Sequence, residues 1–290
     1  MPDAITGLWA AATTPSDAGG AIDHVALVRH AKRLLDAGCD GLVLFGSCGE
    51  GPSFSIAERL AATEAVLRAG VTPARLTLGT GCPAIADTVA LTKSTLDLGI
   101  TRVLLLPPYY FAGVSAEGIE DAFAAVIDRV SQPQLSVCLY HIPQVCGVGV
   151  PPAVLGRLRA RYGATVSGVK DSSGDFNSFL AFRAAAPDVA TVVGAEILIV
   201  RALAAGGKGT ICGMANLVPA LLRRLLQDPT AQSAIEQAVA PIDGIPTLKA
   251  AVAAMTGEPI WRNMRPPLRA TDEAVGARIA AMLETLEPRA

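Results

Sequence analysis

The feature that most constrains this chain is an eightfold alternation, in which each short apolar run is followed by an amphipathic stretch with helical spacing. In order, the pairs are 8–13 with 22–36, 41–45 with 56–69, 75–79 with 84–98, 102–106 with 116–130, 136–140 with 153–161, 166–170 with 176–185, 189–194 with 197–205, and 209–212 with 219–227. Runs such as GLVLF (41–45) and TRVLLL (101–106) are continuously apolar. Parallel strands covered on both faces read this way. Eight such units predict an α/β fold, a closed (β/α)8 TIM barrel. An open doubly wound sheet would carry a Gly-rich dinucleotide turn after its first strand, and Thr13-Thr14-Pro15-Ser16 offers none. The catalytic barrel is expected over 1–227. A C-terminal helical extension is expected over 228–290, with helical stretches at 231–239, 247–255 and 272–286.

Composition supports a large core. Hydrophobic residues make up 51% of the 290 and charged ones only 17%, which excludes a disordered chain. A net charge of −2 with scattered basic residues argues against nucleic acid or an anionic membrane as partner. The longest apolar runs fall well short of the ~20 residues that span a bilayer. Residues 1–7 carry Asp3 and no basic segment ahead of an apolar one, so a soluble cytoplasmic protein is expected. Cys39, Cys48, Cys82, Cys138, Cys146 and Cys212 form no C-x-x-C and are expected as reduced, small hydrophobes. His24, His30 and His141 are too dispersed for a metal cluster, so neither metal nor organic cofactor is expected.

Reactive groups in such a barrel sit at the carboxyl ends of the strands. The chain has five lysines against nineteen arginines, so each can be weighed. Lys32, Lys93 and Lys249 lie within amphipathic helical stretches, where a solvated face is expected, and Lys208 lies in a turn. Lys170 alone ends an apolar run, 165–169. An amine there, whose aqueous pKa of ~10.4 falls on desolvation, can attack a ketone to form a Schiff base. The alternative is a structural lysine paired with Asp171 or Glu50. Imine chemistry also needs proton transfer at the carbonyl oxygen, and Tyr140, ending the preceding run, can supply a phenol. An amphipathic residue with a satisfied hydroxyl is the alternative for Tyr140. Ser47 could link Tyr140 to Tyr110 in a relay. The turn Gly46-Ser47-Cys48-Gly49 can offer backbone N–H groups to a carboxylate, or be a plain tight turn.

Taken together, GSCGE (46–50), PPYY (107–110), YHIP (140–143) and GVKDSSG (168–174) resemble the dihydrodipicolinate synthase / N-acetylneuraminate lyase family of pyruvate-dependent class I aldolases, in register from Leu8 to about Asn216. The resemblance implies that Lys170 is the Schiff-base lysine and Tyr140 the proton-relay tyrosine. It makes Ser47 and Cys48 the counterparts of two hydroxylated residues that bind the pyruvate carboxylate, with Gly46 beside them. It further implies that Tyr110 reaches a neighbouring subunit's site, that Gly194 and Ile211 line the pyruvate pocket, and that the protein is a homo-oligomer, a dimer or tetramer.

Departures bear on the substrate. Cys48 brings a thiol where the family has a hydroxyl, leaving the backbone N–H as the contact there. Members that condense aspartate semialdehyde carry an arginine just after the segment equivalent to YHIP. Here Gln144-Val145-Cys146-Gly147 follows, and His141 replaces the usual asparagine or tyrosine. The expectation is a Schiff-base-forming lyase or aldolase acting on pyruvate or a 2-keto-3-deoxy acid through Lys170, with His141 and Val145 setting specificity. The alternatives are 4-hydroxy-tetrahydrodipicolinate synthase, an imine-dependent dehydratase or deaminase of the same family, and, from another class, a non-catalytic 2-oxo acid binding protein.

Overall fold

The computed structural model describes residues 4–286. Eight parallel strands follow one another in chain order around a closed barrel: β1 (Gly7–Ala11), β2 (Gly41–Leu44), β3 (Leu76–Gly79), β4 (Arg102–Leu105), β5 (Ser136–His141), β6 (Val166–Asp171), β7 (Ala190–Val193) and β8 (Gly209–Cys212). With a helix after each strand, this is the (β/α)8 fold expected from the alternation. Strand ends differ from the sequence bounds by no more than two residues. Helices Gln232–Val239, Ile245–Thr256 and Glu273–Leu286 follow the barrel. Among the described residues no helix is long and apolar enough to cross a membrane.

The chain forms two compact units. Of the described residues, the first unit joins 4–7 with Thr72–Ile211, and the second joins Leu8–Val71 with 212–286. In the first unit, Val103, Leu105, Val137, Leu139 and Val169 pack with Phe123, Ile127, Leu155, Leu158 and Phe182 from the helices. Because side chains alternate along a strand, the residues between them, Cys138 and Tyr140 on β5 and Gly168 and Lys170 on β6, share the opposite face. Register pairs Cys138 with Gly168 and Tyr140 with Lys170. The strand pattern alone thus sets the two candidate reactive groups side by side.

In the second unit, β1 pairs with β2 through Trp9 and Gly41. A Cβ at Gly41 would come within 2.4 Å of the Trp9 ring, so the indole demands a glycine beside it. Helix Ile245–Thr256 is buried from Thr247 to Ala253, and Gly276 of the last helix lies so close that a Cβ there would meet the Ala250 carbonyl at 2.3 Å. Such a helix has no wet stripe for its lysine. The expectation for Lys249 is therefore corrected: the side chain is 1% exposed and ion-paired with Glu50. Asn216 is a polar hub of the same unit. Its Oδ1 accepts from the Thr13 N–H at 3.1 Å and lies 2.9 Å from His30 Nε2, while its amide nitrogen donates to the Ala11 carbonyl at 2.8 Å.

Candidate active site

Lys170, one residue from the end of β6, is 4% exposed, and its Nζ lies 4.3 Å from the centroid of the Tyr140 ring. Tyr140 is 3% exposed. One step back on the same face, burial pushes the Cys138 thiol up to about 12, although the Lys170 ammonium nearby pulls it the other way. The thiol stays protonated there, and it contributes bulk without charge. Across from this pair, the Gly194 N–H donates to the Asp171 carbonyl at 2.7 Å. A Cβ on Gly194 would lie 1.9 Å from Ser172 Oγ and 3.0 Å from Lys170 Cε. Only glycine leaves the lysine stem its room.

The same geometry brings in Ser172, whose hydroxyl occupies the space beside Gly194 and Lys170. The run KDSSG contained it, but a serine in a short polar turn is what any βα loop displays. The signal that could have found it is its position two residues after a strand-end lysine. Its backbone is fixed at both sides, the N–H by the His141 carbonyl at 2.8 Å and the carbonyl by Gln144 Nε2 at 2.6 Å.

His141 faces away from Lys170. Its ring meets Phe182 edge-on at 5.2 Å and its Nδ1 accepts the Val150 N–H at 2.9 Å, so the proton of the neutral ring resides on Nε2. Burial lowers its pKa, with the Asp171 carboxylate opposing. Asp171 is buried too; Oδ1 accepts from the Ser173 N–H at 2.9 Å, and Oδ2 has no hydrogen-bond partner among the described residues. Val145 sits in a one-turn helix, Pro143–Cys146, and is 65% exposed. Ile211 on β8 is fully buried. Tyr110 is 79% exposed, its ring edge-on to that of Phe111 at 5.3 Å.

Gly46, Ser47 and Cys48 belong to the second unit, in the turn that follows β2, and all three are half-buried. The Glu50 N–H donates to the Ser47 carbonyl at 3.0 Å, the Gly51 N–H to that of Gly46 at 3.1 Å, and the Thr14 hydroxyl to that of Gly49 at 2.8 Å. A Cβ at Gly51 would lie 2.1 Å from the Phe45 carbonyl oxygen, which explains the glycine. Glu50, named above as an alternative partner for Lys170, pairs with Lys249 instead.

The model of the Dihydrodipicolinate synthetase family matches residues 4–260. A curated relative, an uncharacterized DapA-like lyase of Chloroflexus aurantiacus, is 35% identical over 287 residues, covering 95% of each chain. The 4-hydroxy-tetrahydrodipicolinate synthase of Mycobacterium leprae is 34% identical over 247 residues, 83% of this chain and 80% of that one. Among solved structures, dihydrodipicolinate synthase from Agrobacterium tumefaciens superposes with a TM-score of 0.89 at 32% identity, covering 98% of this chain and 100% of the other. With its closed parallel barrel and a family match that spans the strand-end residues described above, the chain belongs to the dihydrodipicolinate synthetase family and is a lyase of the class I aldolase type.

Proposed function

We propose that the chain is a Schiff-base-forming lyase that takes pyruvate, or a 2-keto-3-deoxy acid in the reverse direction, through Lys170. The observation that carries the reading is the pairing of a buried strand-end lysine with a tyrosine in register on the neighbouring strand, in a space that Gly194 keeps clear. The neutral amine of Lys170 adds to the C2 carbonyl, and the oxygen takes a proton to give a carbinolamine. A second proton on that oxygen lets it leave as water, forming the imine. Tyr140 is the relay for these protons. Loss of a C3 proton gives an enamine whose C3 attacks an aldehyde carbon, and water then hydrolyses the imine and returns the amine. In reverse, the C3–C4 bond breaks and its electrons return to the enamine.

The turn Gly46–Cys48 receives the 2-oxo acid's carboxylate through backbone N–H groups and the Ser47 hydroxyl. Gly194 and Ile211 line the space around C3. Ser172 joins them as a contact for the substrate beyond C2. Tyr110, exposed in one chain, completes its role against a second copy in a homodimer or homotetramer. His141 acts indirectly, by fixing Val150 and the start of the following segment.

Incubation with pyruvate and borohydride tests the reading. A reduced pyruvyl group is expected on Lys170 alone; labelling elsewhere, or none, overturns it. A second reading, 4-hydroxy-tetrahydrodipicolinate synthase, has the Mycobacterium leprae relative in its favour. Val145 lacks the guanidinium that would fork the semialdehyde's carboxylate, an interaction worth roughly 1.5–3 kcal/mol per charge-assisted hydrogen bond. A panel of aldehydes offered with pyruvate separates the two readings. Semialdehyde condensation is expected to be slow beside that of hydroxylated aldehydes and to rise in Val145→Arg.

A further inference from the structure

Lys249 and Glu50 lie 199 residues apart in sequence, and each side chain is 1% exposed. Lys249 Nζ donates to Glu50 Oε1 at 2.5 Å and to the Asn263 carbonyl at 2.7 Å. Asn263 is held in turn, its side-chain amide donating to the Ser16 carbonyl at 2.8 Å. Removing two charges from water is so unfavourable that apolar replacements of similar volume often match or exceed a buried ion pair in stability. Stability alone is therefore a poor account of this pair, and its surroundings offer a better one.

Glu50 closes the turn 46–49. Its φ is 52° and that of Phe45, which opens the turn, is 55°. Non-glycine residues in this left-handed region are strained, and persist where their surroundings over-determine them. The hydrogen bonds at Ser47, Gly46 and Gly49 hold the backbone from within. Lys249 holds its end from helix Ile245–Thr256. Charge makes the arrangement more specific: Glu50 Oε2 is buried with no hydrogen-bond partner among the described residues, so a carboxylate lies next to a turn that is to receive another carboxylate. An ammonium in contact with Glu50 cancels that repulsion.

We propose that Lys249 is a positioning residue for the carboxylate end of the substrate: through Glu50 it fixes the turn 46–49 and neutralises the one negative charge built into it. The inference rests on the 2-oxo acid reading and extends the site to the C-terminal helices. A group that acts on the substrate carboxylate acts alike before and during the chemical step. Its loss raises KM for pyruvate and leaves kcat close to wild type. It also spares ketones that have no carboxylate.

The test measures borohydride labelling of Lys170 against the concentration of pyruvate and, separately, of hydroxyacetone. Variants are Lys249→Met and, because a lone buried carboxylate can prevent folding, Glu50→Gln/Lys249→Met, which leaves neutral groups of similar size. Lys249→Met is expected to need roughly 10- to 100-fold more pyruvate for half-maximal labelling, in line with the cost of slightly misplacing a binding group. Maximal labelling and the hydroxyacetone curve should match wild type. The double variant should fold, regain part of the loss, and still need several-fold more pyruvate. Wild-type pyruvate curves in either folded variant, or equal losses with both ketones, overturn the inference while the Schiff-base reading stands. An unlabelled Lys170 in the wild-type protein overturns that reading first, and this one with it.

Discussion

Lys170 and Lys249 are both buried, at 4% and 1% exposure, and their neighbours divide their chemistry. Lys249 is clasped by the Glu50 carboxylate and a backbone carbonyl. Burial lowers its pKa, against the opposing pull of the Glu50 carboxylate. Lys170 lies over an aromatic ring among small groups, the Cys138 thiol, Gly168 and Gly194. A ring face attracts a cation by roughly 0.5–2 kcal/mol. Breaking a buried ion pair costs about 3–5 kcal/mol. The lesson is that burial alone does not make a lysine a nucleophile. One amine lies against an aromatic face in the proposed catalytic site, and the other lies against a carboxylate that ends the turn 46–49.

Removing either member of the proposed catalytic pair should stop or slow the reaction. Lys170→Ala should abolish turnover, since among the described residues no other lysine lies at the carboxyl end of a strand. Tyr140→Phe should keep the ring under the ammonium yet slow imine formation by ~10²–10⁴-fold, the usual range for losing a positioned acid–base group. Rates of pyruvate-dependent turnover and of borohydride labelling measure both. A Tyr140→Phe rate near wild type would leave the ring as packing and the relay with another hydroxyl, Ser172 being the nearest candidate on β6's own loop.

Much of this was legible in the sequence, for identifiable reasons. The strands were readable because two-sided burial makes them continuously apolar, and Lys170 stood out because it interrupts such a run at its end. Tyr140 followed because parallel neighbours end together. Lys249 was misread because a lysine amid alanines and valines looks the same on a half-wet helix as on a fully covered one. Only the fold reveals Glu50 as its partner. The helix Pro143–Cys146 escaped notice because four residues are too few for a period of 3.6 to register. Ser172 was hidden by a residue type that βα turns use freely.

Lys249→Met alone leaves Glu50 buried without its cation and should destabilise the protein by about 3–5 kcal/mol, whereas Glu50→Met/Lys249→Met should recover most of that loss. Urea unfolding midpoints of the wild type, both singles and the double give the coupling energy. Additive single effects would mean that the two side chains are near each other but independent, and the contrast with Lys170 would lose its physical basis.

The smallest effect concerns acid. A third buried base, His30, is kept neutral: burial foremost, with the Arg33 guanidinium beside it, takes its pKa from 6.5 to about 3, and the Asn216 contact only partly offsets this. Between those two values the unfolded chain binds a proton that the folded chain refuses. Stability from this group is therefore complete above about pH 6.5 and declines as the pH falls towards 3, with a slope approaching 1.4 kcal/mol per pH unit at most, as linkage requires (about 2.3RT per proton). Urea midpoints compared at about pH 7.5 and about pH 5 should show the decline. In His30→Gln, which keeps a polar group near Asn216 but cannot take up the proton, the two midpoints should nearly coincide. Glu58 adds little to the comparison of about pH 7.5 with about pH 5: its hydrogen bond with Arg265 takes its carboxyl from 4.5 to about 2, so its contribution is lost chiefly as the pH falls below 4.5. A wild-type slope that survives in His30→Gln would assign the acid sensitivity to another group.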